Sequence, residues 1–127
     1  LAGELGAAWT GEPGDRPPKP LDAAILFAPA GELVPTALEA LDKGGTLALA
    51  GIHMTDVPGL DYAAHLYQEK RLVSVANNTR EDGKELLRLA SDVPLRPRVR
   101  TYPLGEAGSA LLDLKRGAFE GAAVLIP

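Results

Sequence analysis

The side chains that could do chemistry in this chain are few and scattered. There are two histidines and no cysteine, so a disulfide framework and a thiolate metal site are both excluded. His53 follows Gly51-Ile52 and precedes Met54, just past an apolar run. An imidazole there could titrate near neutrality and touch a substrate or ribose, although an exposed loop histidine is the plainer reading. His65, between Tyr62 and Tyr67, reads as a helix-surface or interface residue. Two isolated histidines without cysteine partners do not make a zinc site. Asn77 and Asn78 could hydrogen-bond a ligand amide or cap the helix that follows. Arg96, Arg98 and Arg100 alternate with Leu95, Pro97 and Val99, which suits one solvated strand face better than a phosphate site. The Gly-x-Gly-x-x-Gly turn that cradles a pyrophosphate occurs nowhere in the sequence.

The elements that must position these residues alternate between strand and helix, which makes the class α/β. Residues 1–7 read as the last turns of a helix with Gly6 as C-cap, so further residues are expected before Leu1. Residues 7–10 read as a very short strand. Residues 11–20 hold four prolines and two glycines and must form an exposed loop. The run LDAAILFA at 21–28 lacks alternation, which suits a strand buried on both faces of a parallel sheet. Leu33, Val34, Ala37, Leu38 and Leu41 then recur at helical spacing over 32–43, with Pro35 in the first turn and Gly44-Gly45 as the stop. TLALAGI at 46–52 is a second buried strand. Strand, helix and strand within about 30 residues make one βαβ unit, with parallel pairing and a right-handed crossover.

After a loop at 53–60, a short helix is expected at 61–69 and a third strand at 72–76. Thr79 and Asp82 form a capping box that opens a helix to about Ser91. A short strand at 99–102, an amphipathic helix at 106–115 closed by Gly117, and a strand at 121–126 complete the chain.

The gross numbers narrow the function. A length of 127 residues suits one domain or a piece of one. Hydrophobic residues at 46% and charged residues at 24% describe a globular chain rather than a disordered one. A net charge of -4 disfavours nucleic acid as a partner. No apolar run reaches the roughly 20 residues of a membrane span, and the first residues lack the basic flank of a signal peptide. A cytoplasmic location is expected.

Leu38 to Gly51, LEALDKGGTLALAG, is similar to the helix, Gly-Gly, apolar strand, Gly passage of the medium-chain (zinc-type) alcohol dehydrogenases. Glu4-Leu5-Gly6-Ala7 resembles the end of that family's helix after its second Rossmann strand. Tyr102-Pro103-Leu104-Gly105-Glu106-Ala107, followed by Ala110-Leu111, looks like the start of its last helix. Gly117 and residues 121–125 stand where its closing strand lies. Order and spacing, rather than any single motif, carry the resemblance over nearly the whole chain.

What this resemblance implies is a C-terminal fragment with a partial Rossmann fold. That fold is a three-layer, mainly parallel sheet of about three to four strands flanked by helices, lacking the first two strands. Residues 1–80 would be the latter half of the NAD(P)-binding domain, and 81–127 the helices and strand returning to the catalytic domain. The strands at 21–28, 46–52 and 72–76 would form the parallel core. The segment at 7–10 would be orphaned or paired elsewhere, and the strand at 21–28 left as an open edge.

The implied activity is that of an oxidoreductase passing hydride between NAD or NADP and a small alcohol or carbonyl substrate, with this chain inactive alone. Zinc is implied for the parent, with ligands that would precede Leu1. No catalytic or metal residue is expected within the chain. The implied cofactor contacts are Phe27, Ala28 and Pro29 after the first core strand, Ala50, Gly51 and Ile52 after the second, and Ala76 and Asn78 after the third. By type alone, Phe27, Ala28, Ala50 and Ile52 read as strand-end packing, and Gly51 as a turn glycine. Ala122 stands where many family members carry an arginine that meets the pyrophosphate. A homo-oligomer pairing near 70–78 is expected. Two other readings stay open: a Rossmann-like methyltransferase, which would end in an antiparallel hairpin, and a non-enzymatic, self-associating α/β module.

Overall fold

In a computed structural model of the chain, which describes residues 1–93 and 95–127, the apolar runs become parallel strands. The chain divides into two units, Leu1–Asn78 and Thr79–Pro127.

In the first unit, β1 (Leu21–Leu26), β2 (Leu41–Leu49) and β3 (Arg71–Ser74) form one sheet in the order β1-β2-β3. Both pairings are parallel, as expected for the core, and β1 is an edge of this sheet. The helix α1 (Leu33–Glu39) links β1 to β2, and α2 (Tyr62–His65) precedes β3. Register sets Ile25 beside Ala48, and Ala48 beside Val73. Side chains alternate along a strand, so Ala24, Leu26, Leu47, Leu49 and Leu72 belong to the opposite face. There they join Val34 and Leu38 of α1 and Leu41 in the buried cluster.

The expectation of strands buried on both faces is only half met. Val34, Leu38 and Leu47 have no exposed surface, whereas Ile25 is 62% exposed and Val73 43%. The buried cluster lies on the α1 side, and among the described residues the face carrying Ile25 has no comparable cover.

The helix also ends sooner than its periodicity predicts. The Leu21 N–H donates to the carbonyl of Ala40 at 2.9 Å, and Leu41 is already paired with Leu21. The chain has therefore joined the sheet before Gly44-Gly45 is reached. That glycine pair sits instead in an irregularity of the ladder, where the register jumps from Leu21 opposite Leu41 to Ala23 opposite Thr46. Gly44 has φ 70°, and a Cβ on Gly45 would lie 2.9 Å from the Asp42 carbonyl oxygen. Both positions favour glycine for geometric reasons.

Residues 1–7 do close like a helix end. Gly6, at φ 93°, donates to the Gly3 carbonyl at 3.1 Å, and Ala7 donates to Ala2 at 3.0 Å, the paired bonds of a Schellman turn. The short strand expected at 7–10 is not formed. Only ladder bonds hold so short a segment extended, and it has no place in either sheet.

His65 corrects another expectation. It is 7% exposed rather than on a helix surface. Its Nδ1 accepts the Asp61 N–H at 2.8 Å, and its Nε2 lies 3.4 Å from a Glu39 carboxylate oxygen. The four-residue α2 folds the imidazole back toward α1. Beside it, the Lys70 ammonium donates to the carbonyls of Leu38 at 2.8 Å and Ala64 at 3.3 Å. One cation thereby caps both helix ends.

In the second unit, α3 (Arg80–Asp92) opens on the expected capping box between Thr79 and Asp82. Thr79, not Asn77 or Asn78, is the cap; Asn77 instead accepts the Asn78 N–H at 3.2 Å. β4 (Val99–Pro103) and β5 (Ala122–Ile126) pair in parallel, joined through a short 3-10 turn and α4 (Ala107–Arg116). A parallel pair needs such a crossover, and the antiparallel hairpin expected of a methyltransferase is excluded at these strands. Gly117, at φ 63°, ends α4. Tyr102 is buried, donates to Asp113 at 3.0 Å and stacks edge-on against Phe119. Burial and the Asp113 bond raise its phenol pKa above the ordinary value, against the opposing charge of Arg100. Arg98 pairs with Glu120 at 2.6 Å and Arg100 with Asp113 at 3.6 Å. Arg98 and Arg100 of the arginine row therefore meet carboxylates of their own unit.

Two stability outcomes follow. Leu47→Ala is expected to cost about 2–5 kcal/mol in urea unfolding, through the cavity left under α1. The Asp82 carboxyl is held below its ordinary pKa by the Thr79 backbone N–H and then by the Thr79 hydroxyl. A depressed folded pKa contributes stability that is present above the unfolded value and is lost as pH falls through the folded one. Far-UV circular dichroism should show α3 losing helicity in acid, with a flatter acid response in Asp82→Asn.

Candidate functional site

Open α/β sheets bind ligands outside the carboxyl ends of their strands. Phe27, Ala28 and Pro29 leave β1 at that end, Ala50, Gly51 and Ile52 leave β2, and Ala76 and Asn78 follow β3. Ladder bonds continue past the strand ends: Ala50 donates to Leu26 at 2.9 Å and Val75 to Leu49 at 3.0 Å. Residues 27–29 and 50–52 therefore leave the sheet side by side, with Ala76 starting next to them. Asn78 lies two residues further along the chain. Phe27 is 74% exposed and Ile52 82%, so packing within this chain accounts for neither side chain. Ala28, Pro29, Ala76 and Asn78 are exposed as well, while Ala50 and Gly51 are half-buried. His53 is an exposed loop residue.

Two glycines at this end differ in what holds them. Gly31 is buried, and a Cβ added to it would run into the carbonyl oxygens of Thr55 and Asp56. Gly51 is looser. Its added Cβ would lie 3.5 Å from the carbonyl oxygens of Phe27 and His53, an ordinary contact, and it is not among the glycines with positive φ. Neither space nor backbone conformation in this chain demands a glycine there, and the turn reading does not account for it.

The two exit loops are joined by a residue that sequence reasoning passed over. The Thr55 hydroxyl accepts the Gly31 N–H at 2.8 Å and donates to the Glu32 carboxylate at 3.1 Å. The Thr55 N–H donates to the Pro29 carbonyl at 3.3 Å. A threonine in a loop carries no spacing signature, and its partners lie more than 20 residues away.

Among the described residues, no group of three or more His, Cys, Asp or Glu could hold a metal ion. No helix of the described residues is long and apolar enough to cross a membrane. A shallow groove lined by Arg16, Thr36 and Glu39 lies toward the opposite end of α1 from these loops. Thr55→Val keeps the side-chain shape but leaves the Gly31 N–H without its acceptor. It is expected to cost about 1–3 kcal/mol in thermal or urea unfolding, with Thr55→Ser losing less.

No protein-family profile matches the chain. In sequence it is 54% identical over 126 residues to a Mycobacterium tuberculosis protein described as probable alcohol dehydrogenase AdhA, a match covering 99% of this chain and 36% of that protein. A Sinorhizobium meliloti structure described as an alcohol dehydrogenase matches with TM-score 0.69 at 25% identity, over 86% of this chain and 30% of that one. The alcohol dehydrogenase of Aeropyrum pernix gives TM-score 0.69 at 23% identity, covering 86% of this chain and 31% of its own. Bacillus subtilis yhfP, solved with NAD bound, gives 0.65 at 16% identity, covering 88% and 36%. The last two show the shared fold. The chain thus spans between 30% and 36% of the length of these relatives. With the sequence match running through both units and the fold agreeing, the chain matches about a third of these alcohol dehydrogenases, as a C-terminal fragment of that zinc-type family would.

Proposed function

We propose that this chain forms the nicotinamide-side wall of a cofactor cleft, in an oxidoreductase that passes hydride between NAD or NADP and an alcohol or carbonyl substrate. The observation that carries this reading is Gly51, a glycine the fold does not require, next to Ile52 in the chain and beside the Phe27 carbonyl, with both of those side chains exposed. A glycine of that kind lets a ligand approach the backbone closely. Phe27, Ala28, Pro29, Ala50, Gly51, Ile52, Ala76 and Asn78 are the proposed contacts. Their backbone groups bind carboxamide and ribose, and the Phe27 and Ile52 side chains shape a dry pocket for the ring. The cofactor supplies the hydride; this chain orients the ring.

On this reading residues 1–80 are the latter half of the NAD(P)-binding domain and 81–127 return to the catalytic domain. Zinc, if the parent uses it, takes its ligands from other parts of that protein. The exposed sheet face at Ile25 and Val73 supports a further covering layer. The enzyme is cytoplasmic and homo-oligomeric, pairing near 70–78. The chain alone is inactive, because it has no Gly-x-Gly-x-x-Gly turn for the pyrophosphate. The parallel pairing of β4 with β5 counts against a methyltransferase.

Upstream coding DNA should specify a Gly-x-Gly-x-x-Gly segment and a domain bearing Cys and His. A start codon directly before Leu1, with neither feature, would sink the proposal. In the isolated chain, nicotinamide fluorescence should show no saturable signal at micromolar NADH. If NADH does saturate there, the chain is more self-sufficient than proposed; if the chain self-associates without any cofactor response, the non-enzymatic module gains. Gly51→Val in the full-length enzyme should raise the cofactor KM about tenfold or more, an effect of about 1.4 kcal/mol.

A further inference from the structure

We infer that Thr55 is a positioning residue that sets the gap between the two exit loops forming the proposed nicotinamide wall. The inference rests on the cofactor reading above. The Thr55 hydroxyl has one proton, and the Glu32 carboxylate takes it at 3.1 Å. That orientation leaves an oxygen lone pair for the Gly31 N–H at 2.8 Å. The Thr55 N–H at the same time holds the Pro29 carbonyl at 3.3 Å. Three bonds from one residue therefore join the loop after β1 to the loop after β2. Gly31, having no Cβ, lets the carbonyls of Thr55 and Asp56 come against it. Pro29 follows Phe27 and Ala28 directly, Gly31 lies two residues further, and Thr55 follows Ile52 by three residues. The spacing between Phe27–Pro29 and Ala50–Ile52 is thereby set from outside the contact residues themselves.

The test uses the isotope-labelled chain titrated with reduced nicotinamide mononucleotide to millimolar concentration. This probe lacks the adenosine half that the missing phosphate turn would hold. Amide exchange at Gly31 and chemical shifts at Ala28, Ala50, Gly51 and Ile52 are read in wild type, Thr55→Val and Thr55→Ser. In Thr55→Val, Gly31 exchange should rise roughly tenfold and the saturating shifts should need several-fold more ligand. Thr55→Ser should restore both. Unchanged Gly31 exchange in Thr55→Val overturns the staple. Released Gly31 exchange with an unchanged ligand titration overturns the positioning role while the cofactor wall stands. No ligand shift at these residues even in wild type overturns the cofactor wall, and the positioning role with it. Should Thr55→Val fail to fold, Glu32→Ala frees the hydroxyl to rotate. A smaller rise in both readouts is then expected, and no change in either overturns the inference.

Discussion

The contact of Val34 and Leu38 with Leu41 and Leu47 is the constraint on which the first unit depends. An isolated helix of seven residues is far below the roughly 12–15 needed for marginal stability in water. α1 exists because its apolar stripe is buried on β2. That same burial fixes which face of every strand points inward. A one-residue slip of β2 would turn Leu47 and Leu49 outward and bring Ala48 in. The register of Ile25, Ala48 and Val73 follows from where Leu47 must go.

The two ends of this sheet are finished differently. At the amino end of β2, the chain leaves α1 early, pairs Leu41 with Leu21 and absorbs the mismatch in the Gly44-Gly45 irregularity. Lys70 closes the carbonyl ends of α1 and α2 there, and His65 is buried with its ring nitrogens on Asp61 and Glu39. At the carboxyl end the ladder continues for one bond beyond each strand and then opens into loops held by Thr55. The first end is closed by side chains of this chain. The second presents Phe27 and Ile52 to solvent, and it is the end to which the cofactor role is assigned.

Much of the fold was legible before any coordinates. The unbroken runs at 21–28, 46–52 and 72–76 led to three parallel strands. The Thr79 and Asp82 pair led to a capping box, and Gly6 and Gly117 to helix ends; all three are local chemistry within a few residues. The second unit's parallel pair was not foreseen. Nothing local in Val99 or Ala122 states its partner, since strand partners are chosen by the crossover helix between them. The apolar runs also overstated burial. Apolar composition says that a face can be covered, not that this chain covers it, and Ile25 and Val73 stand exposed.

What the sequence determined by itself was the succession of elements from residue 21 onward, because periodicity, capping and turn residues act over neighbours a few positions apart. The proposed contacts at the strand ends came from the family resemblance rather than from residue pattern. Only the tertiary structure decided which glycine is held by packing and which is left free. It alone revealed that Thr55 joins the two loops. Those facts depend on carbonyl oxygens and a hydroxyl brought together across more than 20 residues of chain, a distance over which residue types carry no pattern.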